Sequence, residues 1–215
     1  MTYSNHIAAL NELSASEGVF TTAQAARLGI TRNALSQAVA SGRAERIAHG
    51  AYRLAGSQSD FTDELAALWK LTDPAAFTHE RMQAGAWDGI AIGGSTAASL
   101  QNLGDFYLSP YRIYAPRRIN SRAESASFAV RRVDPDDVNW IKGLPVTRLE
   151  RTLVDLCLDN EEWSLVEDAF NSADNLDYDR LVKIIAEQPE SKSVQESLSE
   201  IRELMERHLD KERVG

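Results

Sequence analysis

"ARLGITRNAL" (residues 26–35) interrupts a helical run with a single glycine and restarts it after a threonine. Gly29 stands directly after Leu28, where a helix ends most cheaply on a left-handed residue, and glycine enters that region without steric cost. Thr31 precedes Arg32 and Asn33, and a threonine there caps the free N–H groups of a helix start. The stretch therefore predicts two helices joined by a tight turn. Upstream, "TTAQAARLG" (21–29) opens with Thr21 and Gln24 three residues apart, a capping-box pattern. Downstream, a helix over 32–41 places Leu35, Ala38 and Val39 on one face and Arg32, Asn33, Ser36 and Gln37 on the other. Gly42 closes it.

A first helix is expected over 4–16, with Ile7, Leu10 and Leu13 on one side and Gly18 after it. Strand-forming residues flank His49-Gly50, a short turn pair, so 44–54 reads as a hairpin. Three short helices followed by a hairpin is the plan of a winged helix-turn-helix. A helix of about three turns fits the major groove of DNA, where its early exposed residues meet base edges. Arginine bonds guanine, asparagine and glutamine pair with adenine, and serine is permissive. Arg32, Asn33, Ser36 and Gln37 supply those types with no acid among them. Thr21, Thr22 and Thr31 stand at helix starts, where hydroxyl and backbone N–H groups hold phosphate. Arg46, His49 and Arg53 would set the hairpin against the backbone or a minor groove. A small helical domain with a merely solvated polar face would show the same pattern.

"GSQSD" (56–60) is polar and turn-forming, which predicts a linker between a domain at 1–56 and another at 61–215. After a helix over 62–72 the second part mixes types. "GIAIGG", "PYRIYAP", "ASFAVRRV" and "VNWIKGLPV" read as strands. "STAASLQNLG" reads as a helix capped by Ser95 or Thr96. "VTRLERTLVDLCLD" (146–159) reads as a helix with Leu149, Leu153, Leu156 and Cys157 inward. Helices over 161–173, 178–187 and 193–209 follow, the last with Val194, Leu198, Ile201, Met205 and Leu209 on one stripe, which suits packing on its own domain ahead of a free partner-binding helix. The fold class is α+β: an N-terminal winged helix-turn-helix, then a mixed α/β domain with a helical tail.

The net charge of −9 is unevenly spread. Residues 1–59 hold five arginines against three glutamates. Residues 133–215 hold ten basic and 21 acidic side chains. Local field decides where a polyanion docks, so the acidic tail does not exclude DNA binding by the first part. Arg112, Arg117, Arg118, Arg122, Arg131 and Arg132 form a second basic stretch, with only Glu124 against it between 110 and 132. On two antiparallel strands they would line one surface, for phosphate or for a protein partner, or simply remain solvated. Arg148, Glu150, Arg151 and Asp155 are spaced for surface pairs on a helix, or, for Arg151 and Asp155, for a buried structural pair.

No site for catalysis emerges. "IGGSTAASLQNLGDFY" begins like a nucleotidyltransferase signature, but that chemistry needs two carboxylates about one residue apart, and two positions beyond Asp105 stands Tyr107. His79 and Ser95 with a distant aspartate lack a nucleophile elbow. "DYDRLVK" offers Asp177, Asp179 and Lys183 for a nuclease, but at a helix start. Four scattered histidines and one cysteine make no zinc site, and no phosphate-binding glycine-lysine loop is present. No cofactor or metal is expected. No apolar run approaches the roughly 18 residues of a membrane helix, and the N-terminus lacks the pattern of a signal peptide. With one cysteine, the chain is expected to be cytoplasmic.

"GVFTTAQAARLGITRNALSQAVASGRAERIAHGAYRL" (18–54) resembles the N-terminal winged helix of the AbiEi-type antitoxins, the repressor-antitoxins of abortive-infection systems. Gly18, Thr21, Thr22, Ala26, Gly29, Ile30, Thr31, Arg32, Leu35, Gly42, Arg46, Ile47, Gly50 and Tyr52 occupy the family's pattern. Ala44 and His49 depart from it, standing where leucine and arginine are usual. "SPYRIYAPRR" and "LPVTRLERTLVDLC" resemble later segments of the same proteins more weakly. The resemblance implies a DNA-binding repressor that binds repeats in its own promoter and oligomerises there. Its C-terminal domain would counter a nucleotidyltransferase-type toxin. The alternative is a stand-alone winged-helix regulator whose C-terminal domain senses a ligand or dimerises.

Overall fold

The computed structural model describes residues 3–83 and 85–214, and side chains over 7–83 and 85–208. The chain forms two compact units, Met1–Asp88 and Gly89–Gly215.

In the first unit, α1 (Tyr3–Glu17) leads into a two-residue strand β1 (Phe20–Thr21). Then come α2 (Thr22–Arg27), α3 (Arg32–Ala40), the hairpin β2 (Ala44–Ala48) and β3 (Ala51–Leu54), α4 (Asp63–Lys70) and α5 (Thr78–Arg81). The sheet order is β1-β3-β2, all antiparallel, with Phe20 opposite Tyr52. The hairpin was legible, but β1 was not, because two residues carry no period. Leu10, Leu13, Phe20, Ile30, Leu35, Ala38, Ala44 and Tyr52 form the core beneath the helices. Ile7 and Val39, expected inward, are each 36% exposed. Ala44 is buried where the larger leucine is usual in the resembling pattern.

The first unit extends past the polar stretch 56–60. Helix α4 lays Leu65, Ala67, Leu68 and Trp69 inward, and Ala67 packs with Val19 and Ala51. Its final residue, Lys70, reaches the buried Glu17 at the end of α1. Glu17 also accepts from Thr78 Oγ1 at 2.7 Å and Gln24 Nε2 at 3.2 Å, so one carboxylate ties four helices together. Arg27 forms a two-pronged pair with Glu80, at 2.6 and 2.7 Å, and holds that carboxyl down at about 2. The unit boundary therefore lies at Asp88 rather than near residue 56.

In the second unit, five strands take the order β6-β5-β4-β8-β7, from β4 (Ala91–Ile92), β5 (Tyr111–Ala115), β6 (Ala126–Val130), β7 (Val138–Ile141) and β8 (Leu144–Thr147). "VNWIKGLPV" makes two strands rather than one, turning at Lys142 and Gly143, both at positive φ. Strands β5 and β6 run parallel, against the antiparallel expectation. Helix α6 (Gly94–Leu100) starts without a side-chain cap. Thr96, one of the expected caps, donates instead to Leu108 O and accepts from Arg112 N at 2.7 Å. A single 3-10 turn (Pro135–Asp137) precedes β7. Helices α7 (Leu149–Leu158), α8 (Trp163–Asn171), α9 (Tyr178–Ala186) and α10 (Lys192–Val214) complete the unit. Their shared core includes Leu153, Leu156, Phe170, Ile184, Leu198 and Ile201. Of the stripe on α10, Leu198 and Ile201 are buried and Val194 and Met205 half-buried, with Leu204 buried beside them, while the Leu209 side chain lies outside the described residues. Burial pushes the Cys157 thiol up to about 12.

Candidate nucleic-acid interface

The turn between α2 and α3 is built as its residues demand. Gly29 adopts φ +76°, with its N–H bonded to Ala26 O at 2.9 Å. Ile30 is buried to 1% and anchors the turn. Thr31 caps α3, its Oγ1 accepting from Ala34 N at 3.2 Å. Thr21 and Gln24 form the expected reciprocal capping box on α2. These caps satisfy N–H groups that a helix start would otherwise leave unpaired.

Arg32, Asn33, Ser36 and Gln37 are all exposed along α3, while Leu35 and Ala38 hold it to the core. Arg32 and Ser36 line an open concavity whose opposite wall is the hairpin, with Arg46, His49 and Tyr52. Arg46 lies over the Tyr52 ring and donates to Tyr52 Oη at 3.3 Å. Tyr52 thereby props the guanidinium, a role that the residue's place in the hairpin did not announce. His49 is exposed at the tip of a two-residue turn, so the wing is short. Asn33 and Gln37 stand outside this concavity; Gln37 borders a smaller one with Leu10 and Leu54.

Three expected contacts are occupied otherwise. Thr21 is fully buried, its hydroxyl accepting from Gln24 N and donating to Pro74 O. Thr22 is half-buried and its hydroxyl donates to Gly50 O at 3.3 Å, which ties α2 to the wing turn. Arg53 is buried and donates to Glu45 at 2.6 Å and to Asp63 at 3.1 Å. On an antiparallel strand next to Glu45, and with α4 above it, its charge is neutralised inside the unit. The concave face thus presents Arg32, Ser36, Arg46 and His49, with Thr31, Asn33 and Gln37 beside them on α3.

The second basic stretch divides. Arg112 makes two hydrogen bonds of 2.8 Å to Asp159, which also accepts from Tyr114 Oη and from Arg131 at 2.8 Å each. Arg131 and Arg151 both bond Asp155 Oδ1, at 3.0 and 2.9 Å. Arg151 and Asp155 are thus buried partners, not surface ones. Asp155 Oδ2 is buried with no hydrogen-bond partner. Burial raises the Asp155 carboxyl to about 6 in spite of its arginines. Arg112 and Arg131 therefore converge on Asp159 as internal struts and are not part of an exposed basic surface. Arg117, Arg118, Arg122 and Arg132 remain exposed, Arg132 at 3.6 Å from Asp134.

Among the described residues no group of three or more histidines, cysteines and carboxylates could hold a metal. Asp177, weighed as a nuclease carboxylate, caps α9 by accepting from Arg180 N at 3.0 Å. No described helix is long and apolar enough to cross a membrane.

Residues 8–55 match the family model described as "Transcriptional regulator, AbiEi antitoxin". That segment runs from within α1 to the end of the hairpin. No curated protein sequence matches the chain. The structure is similar to the crystal structure of the RV2827C protein from Mycobacterium tuberculosis, with a TM-score of 0.59 and 16% identity. The similarity covers 95% of this chain and 78% of that one, and at such identity it concerns the fold alone.

Proposed function

We propose that this chain is a sequence-specific DNA-binding repressor that acts as an antitoxin and regulates its own operon. Helix α3 enters the major groove, with Arg32, Asn33, Ser36 and Gln37 toward base edges. Arg46 and His49 hold the backbone from the wing, and Thr31 presents the N-terminus of α3. The observation that carries this is the exposed, acid-free face of α3 set across a concavity from Arg46. The match of residues 8–55 to a regulator-antitoxin family supports it from an independent side. On the same reading the second unit opposes a nucleotidyltransferase-like toxin, which a gene for such an enzyme beside this one would support.

The test is binding of the full chain to the DNA immediately upstream of its own gene. Arg32→Ala and Gln37→Ala should each lower preference for that DNA over a random duplex by about 1–3 kcal/mol. Equal loss on both duplexes would make these residues phosphate contacts. Absence of any shift at low salt, where phosphate contacts are strongest, would end the proposal.

A further inference from the structure

The face just described is poor in positive charge. Met1–Asp88 holds seven basic and nine acidic side chains. Of its arginines, Arg27 is paired with Glu80 and Arg53 with Glu45 and Asp63, and only Arg32 and Arg46 line the concavity. Each neutralised phosphate contributes about 0.9 to the slope of log affinity against log salt, so two such contacts give weak, shallow binding.

The second unit, although acidic overall, carries an exposed basic segment. Residues 116–125 join β5 to β6, which run parallel. A parallel connection must return over the length of a strand, here five residues, or about 16 Å at roughly 3.3 Å per residue. The segment makes that return without helix or strand. Its three arginines stand on that crossover. Arg117, Arg118 and Arg122 are exposed, as are Asn120 and Ser121, types that contact phosphate. The neighbouring Arg112 and Arg131 are held by Asp159 and Asp155 instead. None of the exposed large apolar side chains falls within 116–125, whereas the centre of a protein–protein interface needs such anchors.

We propose that the crossover 116–125 is a second DNA-backbone surface, on which Arg117, Arg118 and Arg122 neutralise phosphates outside the site read by α3. This rests on the DNA-binding reading above. The experiment titrates the full chain, its Arg117→Gln/Arg118→Gln/Arg122→Gln variant and Arg32→Ala against the upstream duplex and a random one over a range of salt. Thermal melts of each confirm folding, and since all three crossover arginines are exposed the triple variant should melt like the parent.

The expected result is a salt slope shallower by about 2–3 for the triple variant, from about 0.9 per lost contact. Its affinity at low salt should fall on both duplexes alike, with sequence preference retained. Arg32→Ala should instead lose preference. An unchanged slope and affinity in the triple variant, with the parent binding normally, would overturn this inference and leave the α3 reading intact. Failure of the parent on every duplex would overturn both. Sedimentation of the same proteins supplies the remaining arm: loss of self-association with an unchanged slope would assign the arginines to a second copy of the chain and overturn the DNA claim.

Discussion

Asp155 is the carboxylate with the least comfortable surroundings among those described. Its Oδ1 accepts from two arginines, yet its Oδ2 is buried without a partner, and the net effect raises its proton affinity to about 6. Folding therefore favours the protonated form. The stabilisation from taking up that proton is complete below the unfolded value near 4 and is lost as pH rises through 6. Asp155→Asn removes the titration. Between pH 7 and pH 5 the parent should gain about 1 kcal/mol relative to this variant, from the two-unit separation of folded and unfolded values. Urea unfolding of both proteins at the two pH values measures it, and parallel pH profiles would sink the assignment. The sequence left open whether Arg151 and Asp155 were surface or core, since i, i+4 spacing serves both. It also held no sign that Gly93 is required. A Cβ there would lie 1.8 Å from a Tyr114 ring carbon, a contact that only the folded sheet creates.

Helices α2 and α3 were legible because each announces itself locally, with a capping threonine before it and a glycine after it, and α1 because an apolar side is followed by Gly18. Helix α4 was legible as an element but not in its allegiance. Its amphipathic pattern states that one face is buried, not against what. The structure supplies the answer in Lys70 and Glu17, whose side chains are 5% and 2% exposed. Burial lowers the Lys70 pKa although Glu17 opposes the shift. Such a pair stabilises little as a unit but is costly to break, because one charge is stranded. Glu17→Gln should destabilise the protein by about 3 kcal/mol, and adding Lys70→Met should recover more than half of that. Chemical denaturation of the single and double variants tests the element's attachment. A single variant within about 0.5 kcal/mol of the parent, the range of ordinary surface changes, would show that α4 is not anchored there. Of the proposed reading residues, those on α3 were legible from helical period alone. The loss of Thr21 and Arg53 was not, since it depends on Pro74 and Asp63, partners that lie 53 and 10 residues downstream.

At the scale of the molecule, the two units differ in kind: a small sheet under helices, and a larger sheet whose helices share their own core. A fragment of residues 1–88 should fold alone with a cooperative melt, whereas 1–59 should not, because it leaves Glu17 buried without Lys70 and uncovers Val19 and Ala51. Circular dichroism melts of both fragments decide this, and a cooperative melt for 1–59 would return the boundary to the polar stretch at 56–60. The order of types along the chain, helices and hairpin before mixed strands and a helical tail, was readable because period and turn residues change together. The parallel run of β5 and β6 was not, because strand direction is set by the crossover rather than by either strand. One further property follows from Cys157, the chain's single cysteine, buried and with its thiol held at about 12. At neutral pH it offers almost no thiolate to an alkylating reagent. A cysteine introduced at an exposed position such as Ser36 would then be the one site that takes up a maleimide dye, with the native residue left in place.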